Sequence, residues 1–343
     1  MLCAMESANP VPCAVLGAGS FGSCLALLLA DKGYRVDLWS RDARVADAIN
    51  QRHRNPRYLA QVVLPDSIHA TASLEEALAG KEVIVSVVPS HGVRRVWEDA
   101  VPFVDSDALI VSGSKGIEVG SGLLVSQVLE EVLPDGSRDR LVVLSGPTFA
   151  REIAQKRPAS ACVACANENY AIAAQSILSS PLFRCYSNTD VIGVELAGAL
   201  KNVIAIAVGC CDGMQLGLSA RAALITRGLA EMRRLGERLG AQPVTFLGLA
   251  GVGDLVLTCT GDLSRNRSVG LEIGRGRSVE EVIGGMTEVA EGVRTAQSAF
   301  ELAQKHGVDM PITEAVYQVL HQAKDPRLAI RDLMSRQLRS EHE

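Results

Sequence analysis

Three glycines and a few polar side chains stand where chemistry would need them. The run Ala14-Val15-Leu16-Gly17-Ala18-Gly19-Ser20-Phe21-Gly22 sets Gly-x-Gly-x-x-Gly between an apolar stretch and the helical pattern of Ser23–Ala30. In a strand-turn-helix setting Gly17 permits the tight turn, Gly19 lets backbone approach a pyrophosphate, and Gly22 lets helix pack on strand. Amides at the helix start then meet the anion. The bare pattern also describes an ordinary strand-to-helix turn; its position at the first strand is what points to a dinucleotide. The end of the second apolar stretch, Trp39-Ser40-Arg41-Asp42, bears on which one. An acid there binds the ribose hydroxyls of NAD, whereas a base suits a 2′-phosphate. Arg41 favours NADPH, Asp37 falls mid-strand, and Asp42 leaves NADH open.

Further along, polar residues recur in apolar or small surroundings. Lys115 lies in Ser112-Gly113-Ser114-Lys115-Gly116, flanked by residues small enough to let a ligand approach. Gly146 and Thr148 sit in Leu144-Ser145-Gly146-Pro147-Thr148-Phe149-Ala150, where backbone amides and a hydroxyl follow a strand. Lys201 and Asn202 interrupt a helix that is otherwise apolar on nearly every face, a costly place for a lysine that is neither paired nor functional. Asp254 closes Gly248-Leu249-Ala250-Gly251-Val252-Gly253; it would repel a phosphate, so its expected task is to orient a cation, with Thr258 one helical turn on. Ser264-Arg265-Asn266-Arg267 offers a guanidinium fork and amide donors near a helix start, a seat for phosphate. Each motif alone has a plainer reading: a solvated lysine, a turn, a capped helix end.

Short β-branched runs alternate with helical patterns from Val11 to about Tyr186: Cys13–Leu16, Arg35–Trp39, Val83–Val87, Leu109–Ser112, Leu141–Leu144, Ala161–Ala164 and Phe183–Tyr186. That rhythm predicts an α/β, Rossmann-type doubly wound, largely parallel sheet, followed by an all-helical second domain. The expected division is a dinucleotide-binding domain over 1–190 and a helical substrate and catalytic domain over 191–343, with a cleft between them. A length of 343 residues suits two domains. A composition 48% apolar and 21% charged, with 31 glycines, excludes disordered and fibrous classes. The net charge of −5 gives no general pull on nucleic acid or anionic lipid, so an anionic ligand needs locally placed cations. The nine cysteines show no ligand-like spacing, and Cys162 and Cys165 fall in a strand-like stretch. No metal is expected. Reduced thiols, and a Met1–Pro10 segment without a secretory pattern, lead to the expectation of a cytoplasmic protein. The apolar stretch Val191–Cys211 carries Glu195, Lys201 and Asn202, which fits a buried helix better than a membrane span.

In their order along the chain these motifs resemble the bacterial NAD(P)-dependent glycerol-3-phosphate dehydrogenase family, from about Val11 to about Leu333. The resemblance rests on Gly17–Gly22, Ser114-Lys115-Gly116, Ser145–Ala150, Leu200-Lys201-Asn202-Val203-Ile204-Ala205, Gly248–Leu255 and Ser264-Arg265-Asn266. It implies reversible reduction of dihydroxyacetone phosphate to sn-glycerol 3-phosphate, the glycerophospholipid precursor, with NADP(H) or NAD(H). It also implies roles. Ser20, Phe21, Arg41, Ala150, Val289 and Glu291 would contact the cofactor. Lys115, Gly146, Thr148, Asp254, Ser264, Arg265 and Asn266 would touch substrate, with Lys115 and Arg265 facing the cofactor too. Lys201 would transfer the proton.

Reduction of a ketone delivers hydride to carbon while charge grows on oxygen, so a proton donor must stand nearby. Lys201 is the candidate and Lys115 the reserve. An apolar helix and the cation Lys115 would lower the Lys201 pKa, and Asp254 would oppose that shift. The expected partner is a small phosphorylated molecule, with no nucleic acid, no membrane insertion, and a homodimer left open. Two rivals remain at this point: a related two-domain dehydrogenase acting on a sugar acid or 2-keto acid, and a non-catalytic dinucleotide sensor. The Lys115 loop and Ser264-Arg265-Asn266 count against the first; Lys201 inside an apolar helix counts against the second.

Overall fold

The computed structural model describes residues 11–286, 290–338 and 340–341. Two compact units divide the chain: residues up to Lys115 with Leu123–Glu195 form one, and Gly116–Gly122 with the residues from Leu196 onward form the other.

The first unit is a doubly wound sheet. Its strands are β1 (Pro12–Leu16), β2 (Arg35–Trp39), β3 (Ile68–Thr71), β4 (Val83–Ser86), β5 (Leu109–Ser112), β6 (Leu141–Ser145), β7 (Ala159–Ala164) and β8 (Phe183–Asn188), in the spatial order β3-β2-β1-β4-β5-β6-β7-β8. All neighbours run parallel except β6 and β7. Successive side chains of a strand point to opposite faces. Accordingly Cys13 and Val15 join one core with Val36, Leu38, Val85 and Val111, while Ala14 and Leu16 join another with Ile84 and Ile110. Helices cover both faces, which is why the strands read as continuous apolar runs. β3 escapes such reading: it has four residues, and its outward His69 lies beside Asp37 of β2 at 3.2 Å.

Apart from Gly116–Gly122 and the connecting turns, the described residues of the second unit are helical. Its longest helix, Val191–Gly213, starts in the first unit, and 83% of its most apolar 18-residue window is buried inside the protein. Against it packs the helix Arg265–Gly274 through reciprocal glycines. A Cβ on Gly209 or Gly213 would stand 2.1 Å from the Arg267 carbonyl or 2.3 Å from that of Leu271. One on Gly270 or Gly274 would stand 2.0 Å from the Ile206 carbonyl or 2.3 Å from that of Cys210. Two Gly-x-x-x-Gly faces thus bring the helix backbones into direct contact, because residues four apart share a face. A core of Val203, Ile206, Val269, Ile273, Val316 and Val319 surrounds them.

Candidate functional site

The glycine turn after β1 has the shape that an anion needs. Gly17 takes φ 111°, a left-handed value that other residues rarely adopt, and its amide donates to the Trp39 carbonyl at 3.1 Å. Gly22 is packed shut: a Cβ there would lie 1.8 Å from the Gly17 carbonyl and 2.9 Å from Val87 Cγ2. Gly19 is the reverse, with no protein atom within 4 Å of where its Cβ would be. It is also the N-cap of the helix Ser20–Asp31, makes no side-chain cap, and is followed by a first turn without an acid. The open side of Gly19 at this helix start leaves room for a pyrophosphate to approach. Phe21 braces the turn, since a Cβ on Gly113 would meet its Cε1 at 3.2 Å.

The acid just past the end of β2 and the one in mid-strand are both already engaged. Asp42 caps the helix Ala43–Arg52 by accepting from the Arg44 amide, and its oxygens also take Arg44 Nε at 3.0 Å and Arg44 Nη2 at 2.9 Å. That hydrogen bonding, above all, holds the Asp42 carboxyl below its usual range. Asp37 pairs with Lys81 at 2.6 Å. Arg41 is exposed, and no ion pair engages it among the described residues.

The strand-end loops of this unit differ in how firmly they are built. Lys115 follows β5 at the limit of the unit and is half-buried; Ser114 beside it is buried and donates to the Val88 carbonyl at 2.6 Å. Gly146 is enforced by contact, for a Cβ would stand 2.9 Å from Ala161 Cα. The Thr148 hydroxyl donates to the Gly146 carbonyl at 3.1 Å, and Ala150 opens the short helix Ala150–Ala154. The cysteines near here are inert: burial pushes the Cys162 thiol up to about 11.

The helical unit holds the charged centre. Lys201 Nζ lies 2.5 Å from Asp254 Oδ1, with the lysine 7% and the aspartate 1% exposed. A single π-turn, Leu249–Gly253, feeds the helix Asp254–Thr260, and Gly251 lets it form because a Cβ would strike the Phe246 carbonyl at 2.1 Å. Thr258, one turn on, donates to the same Asp254 oxygen at 3.4 Å. Asp254 thus lies against both Lys201 and Thr258.

Ser264 caps the helix Arg265–Gly274 by accepting from the Arg267 amide at 3.2 Å, and it is buried. Arg265 stands exposed in the first turn. Asn266 is buried, donates from Nδ2 to Asn202 Oδ1 at 2.8 Å, and accepts from the Gly292 amide at 2.9 Å. One chain of amides thereby joins the residues next to Lys201, Arg265 and Glu291. Glu291 opens the helix Glu291–His306. Val289 lies outside the described residues.

Models of the NAD-dependent glycerol-3-phosphate dehydrogenase N-terminus and C-terminus match residues 12–171 and 190–331. The chain belongs to this family. It is thus a nicotinamide-dinucleotide oxidoreductase acting on a small phosphorylated substrate. Similar proteins include the glycerol-3-phosphate dehydrogenase [NAD(P)+] of Streptomyces griseus, 49% identical over 97% of this chain and 99% of the relative. That of Citrifermentans bemidjiense is 51% identical over 96% and 98%. Among solved structures, glycerol-3-phosphate dehydrogenase from Coxiella burnetii superposes with a TM-score of 0.91 at 40% identity, covering 95% of this chain and 99% of that one.

Within this glycerol-3-phosphate dehydrogenase family member, three structural supports escaped the reading by motif. Asp212 accepts from Arg221 at 2.8 Å and from Arg267 at 2.9 Å, anchoring the helix that starts at Arg265. Gly292 sits where a Cβ would press on the Asn202 carbonyl at 2.7 Å. Asn55, buried in the loop after the helix Ala43–Arg52, bonds the Ala18 carbonyl at 2.8 Å. A glycine spaced four from another was the available signal for the helix contact; nothing in spacing marks Asp212 or Asn55.

Proposed function

We propose that this chain catalyses the reversible reduction of dihydroxyacetone phosphate to sn-glycerol 3-phosphate in the cytoplasm, supplying the glycerophospholipid backbone, with NADPH used at least as well as NADH. The observation that carries the proton step is the buried Lys201–Asp254 pair. As negative charge grows on the C2 oxygen, an ammonium held at one point donates to it; in oxidation the neutral amine takes the proton back. Asp254 and Thr258 orient Lys201, and Lys115 supplies a second cation at the carbonyl end.

When bound, the dinucleotide supplies the hydride. Gly17, Gly19, Ser20, Phe21 and Gly22 would hold its pyrophosphate and Arg41 a 2′-phosphate, with Ala150, Val289 and Glu291 as further contacts. Arg265 would grip the substrate phosphate with its planar fork, helped by Ser264 and Asn266, while Gly146 and Thr148 line the glycerol part. On this reading 1–190 binds cofactor and 191–343 carries substrate and acid–base chemistry.

The test is the decay of reduced-nicotinamide absorbance with dihydroxyacetone phosphate, run with both cofactors. Turnover is expected with the phosphorylated ketone and none with a 2-keto acid. Equal turnover of a 2-keto acid, or none with dihydroxyacetone phosphate, overturns the reading.

A further inference from the structure

Asn55 is 1% exposed, and every polar position of its side chain is used. Its Nδ2 donates to the Ala18 carbonyl at 2.8 Å, inside the glycine turn, and to Ser23 Oγ at 2.9 Å, in the first turn of the next helix. Its Oδ1 accepts from the amides of Arg57 at 3.1 Å and Tyr58 at 3.0 Å. Residues 55–58 therefore cannot drift from the glycine turn without stranding buried polar groups.

What this clamp carries into solvent is Arg57. Its guanidinium lies 5.5 Å from the Tyr58 ring centroid, and among the described residues no acid pairs with it. Its neighbours are committed elsewhere: Arg44 to Asp42, and Arg54 to the Ala60 carbonyl at 3.1 Å. The glycine turn adjoins the end of β2 through the Gly17–Trp39 bond, so Arg57 is tied to the strand end that bears Arg41. Its charge is felt there, where it adds to the hydrogen bonding of Arg44 in holding the Asp42 carboxyl low.

We propose that Arg57 is a second cation, beside Arg41, for the 2′-phosphate of NADPH, and that Asn55 fixes it there by tying its loop to the glycine turn. The inference rests on the cofactor site proposed above and deepens it. Two guanidinium groups that make no ion pair among the described residues, one at the end of β2 and one on the loop tied to the glycine turn, concentrate positive potential where a dianionic phosphate would lie. The acid at that strand end that would instead select the ribose diol of NADH, Asp42, is taken by Arg44.

The test measures kcat/KM for NADPH and NADH with dihydroxyacetone phosphate, together with calorimetric binding of adenosine 2′,5′-bisphosphate and adenosine 5′-monophosphate. Arg57→Ala is expected to lower NADPH efficiency and bisphosphate affinity about tenfold, the loss of one charge-assisted contact, with monophosphate affinity within about twofold of the parent. Arg184→Ala removes an exposed charge on β8, at the opposite edge of the sheet, and leaves the cofactor ratio as it was. Asn55→Asp keeps the acceptor oxygens but deletes the donors to the glycine turn, and the NADPH-to-NADH ratio should fall. An unchanged ratio in Arg57→Ala overturns the specificity role, and an unchanged ratio in Asn55→Asp overturns the clamp. A parent inactive on dihydroxyacetone phosphate that still binds the bisphosphate through Arg57 would sink the substrate assignment and leave this one standing.

Discussion

Around the glycine turn a Cβ added at Gly22 would lie 1.8 Å from a carbonyl, whereas around Lys201 the decisive distance is 2.5 Å between opposite charges. The first region is made by leaving side chains out, so that backbone amides and open space remain. The second is made by placing an ammonium and a carboxylate where water barely reaches. A site of the first kind is robust to charge and sensitive to volume. A site of the second kind tolerates volume and fails when one charge loses its partner.

The largest effect should come from breaking the pair one-sidedly. Lys201→Met deprives the buried Asp254, 1% exposed, of its ammonium partner and should cost about 3–5 kcal/mol of unfolding free energy. Lys201→Met with Asp254→Leu removes both charges and should recover most of the loss in urea denaturation. If the double variant is no more stable than the single one, the pair is not what the aspartate is there for.

Next in size is Arg265→Ala, expected to lower efficiency with dihydroxyacetone phosphate by about 2–5 kcal/mol by leaving the phosphate unpaired, with Arg265→Lys restoring part of it. The discriminating ratio is that between the phosphorylated and unphosphorylated ketones. An unchanged ratio removes Arg265 from the phosphate seat.

The glycine turn offers a sharper contrast between neighbours. Gly22→Ala should destabilise by about 1–3 kcal/mol through overpacking. Gly19→Ala meets nothing within 4 Å, so melting should stay within about 0.5 kcal/mol of the parent while affinity for both cofactors falls. A Gly19→Ala protein that binds cofactor normally would mean that the open side of the turn holds no ligand. Smallest is Arg41→Asp, which should move only the ratio of NADPH to NADH efficiency; an unchanged ratio removes Arg41 from 2′-phosphate recognition.

The same contrast explains what the amino-acid order made legible. Gly17, Gly19 and Gly22 are close in the chain and repeat a steric requirement, so spacing alone suggested the turn, and β-branched runs gave seven of the eight strands. β3 was missed because four residues with an outward histidine carry no period. The Lys201–Asp254 pair spans 53 positions, so chemistry could nominate each partner while only the fold could join them. Asn55 was invisible for a related reason: asparagine in a loop looks like turn punctuation, and the two hydrogen bonds of its Nδ2 reach Ala18 and Ser23 across 37 and 32 positions.

The most direct test of the account is to measure proton transfer apart from cofactor binding, using the charge-free variant Lys201→Met with Asp254→Leu. NADPH binding followed by nicotinamide fluorescence should match the parent within about twofold, while turnover of dihydroxyacetone phosphate falls about 10²–10⁴-fold across the pH range. Near-parent turnover with an unshifted pH profile would contradict the account and pass the proton to Lys115 or to water.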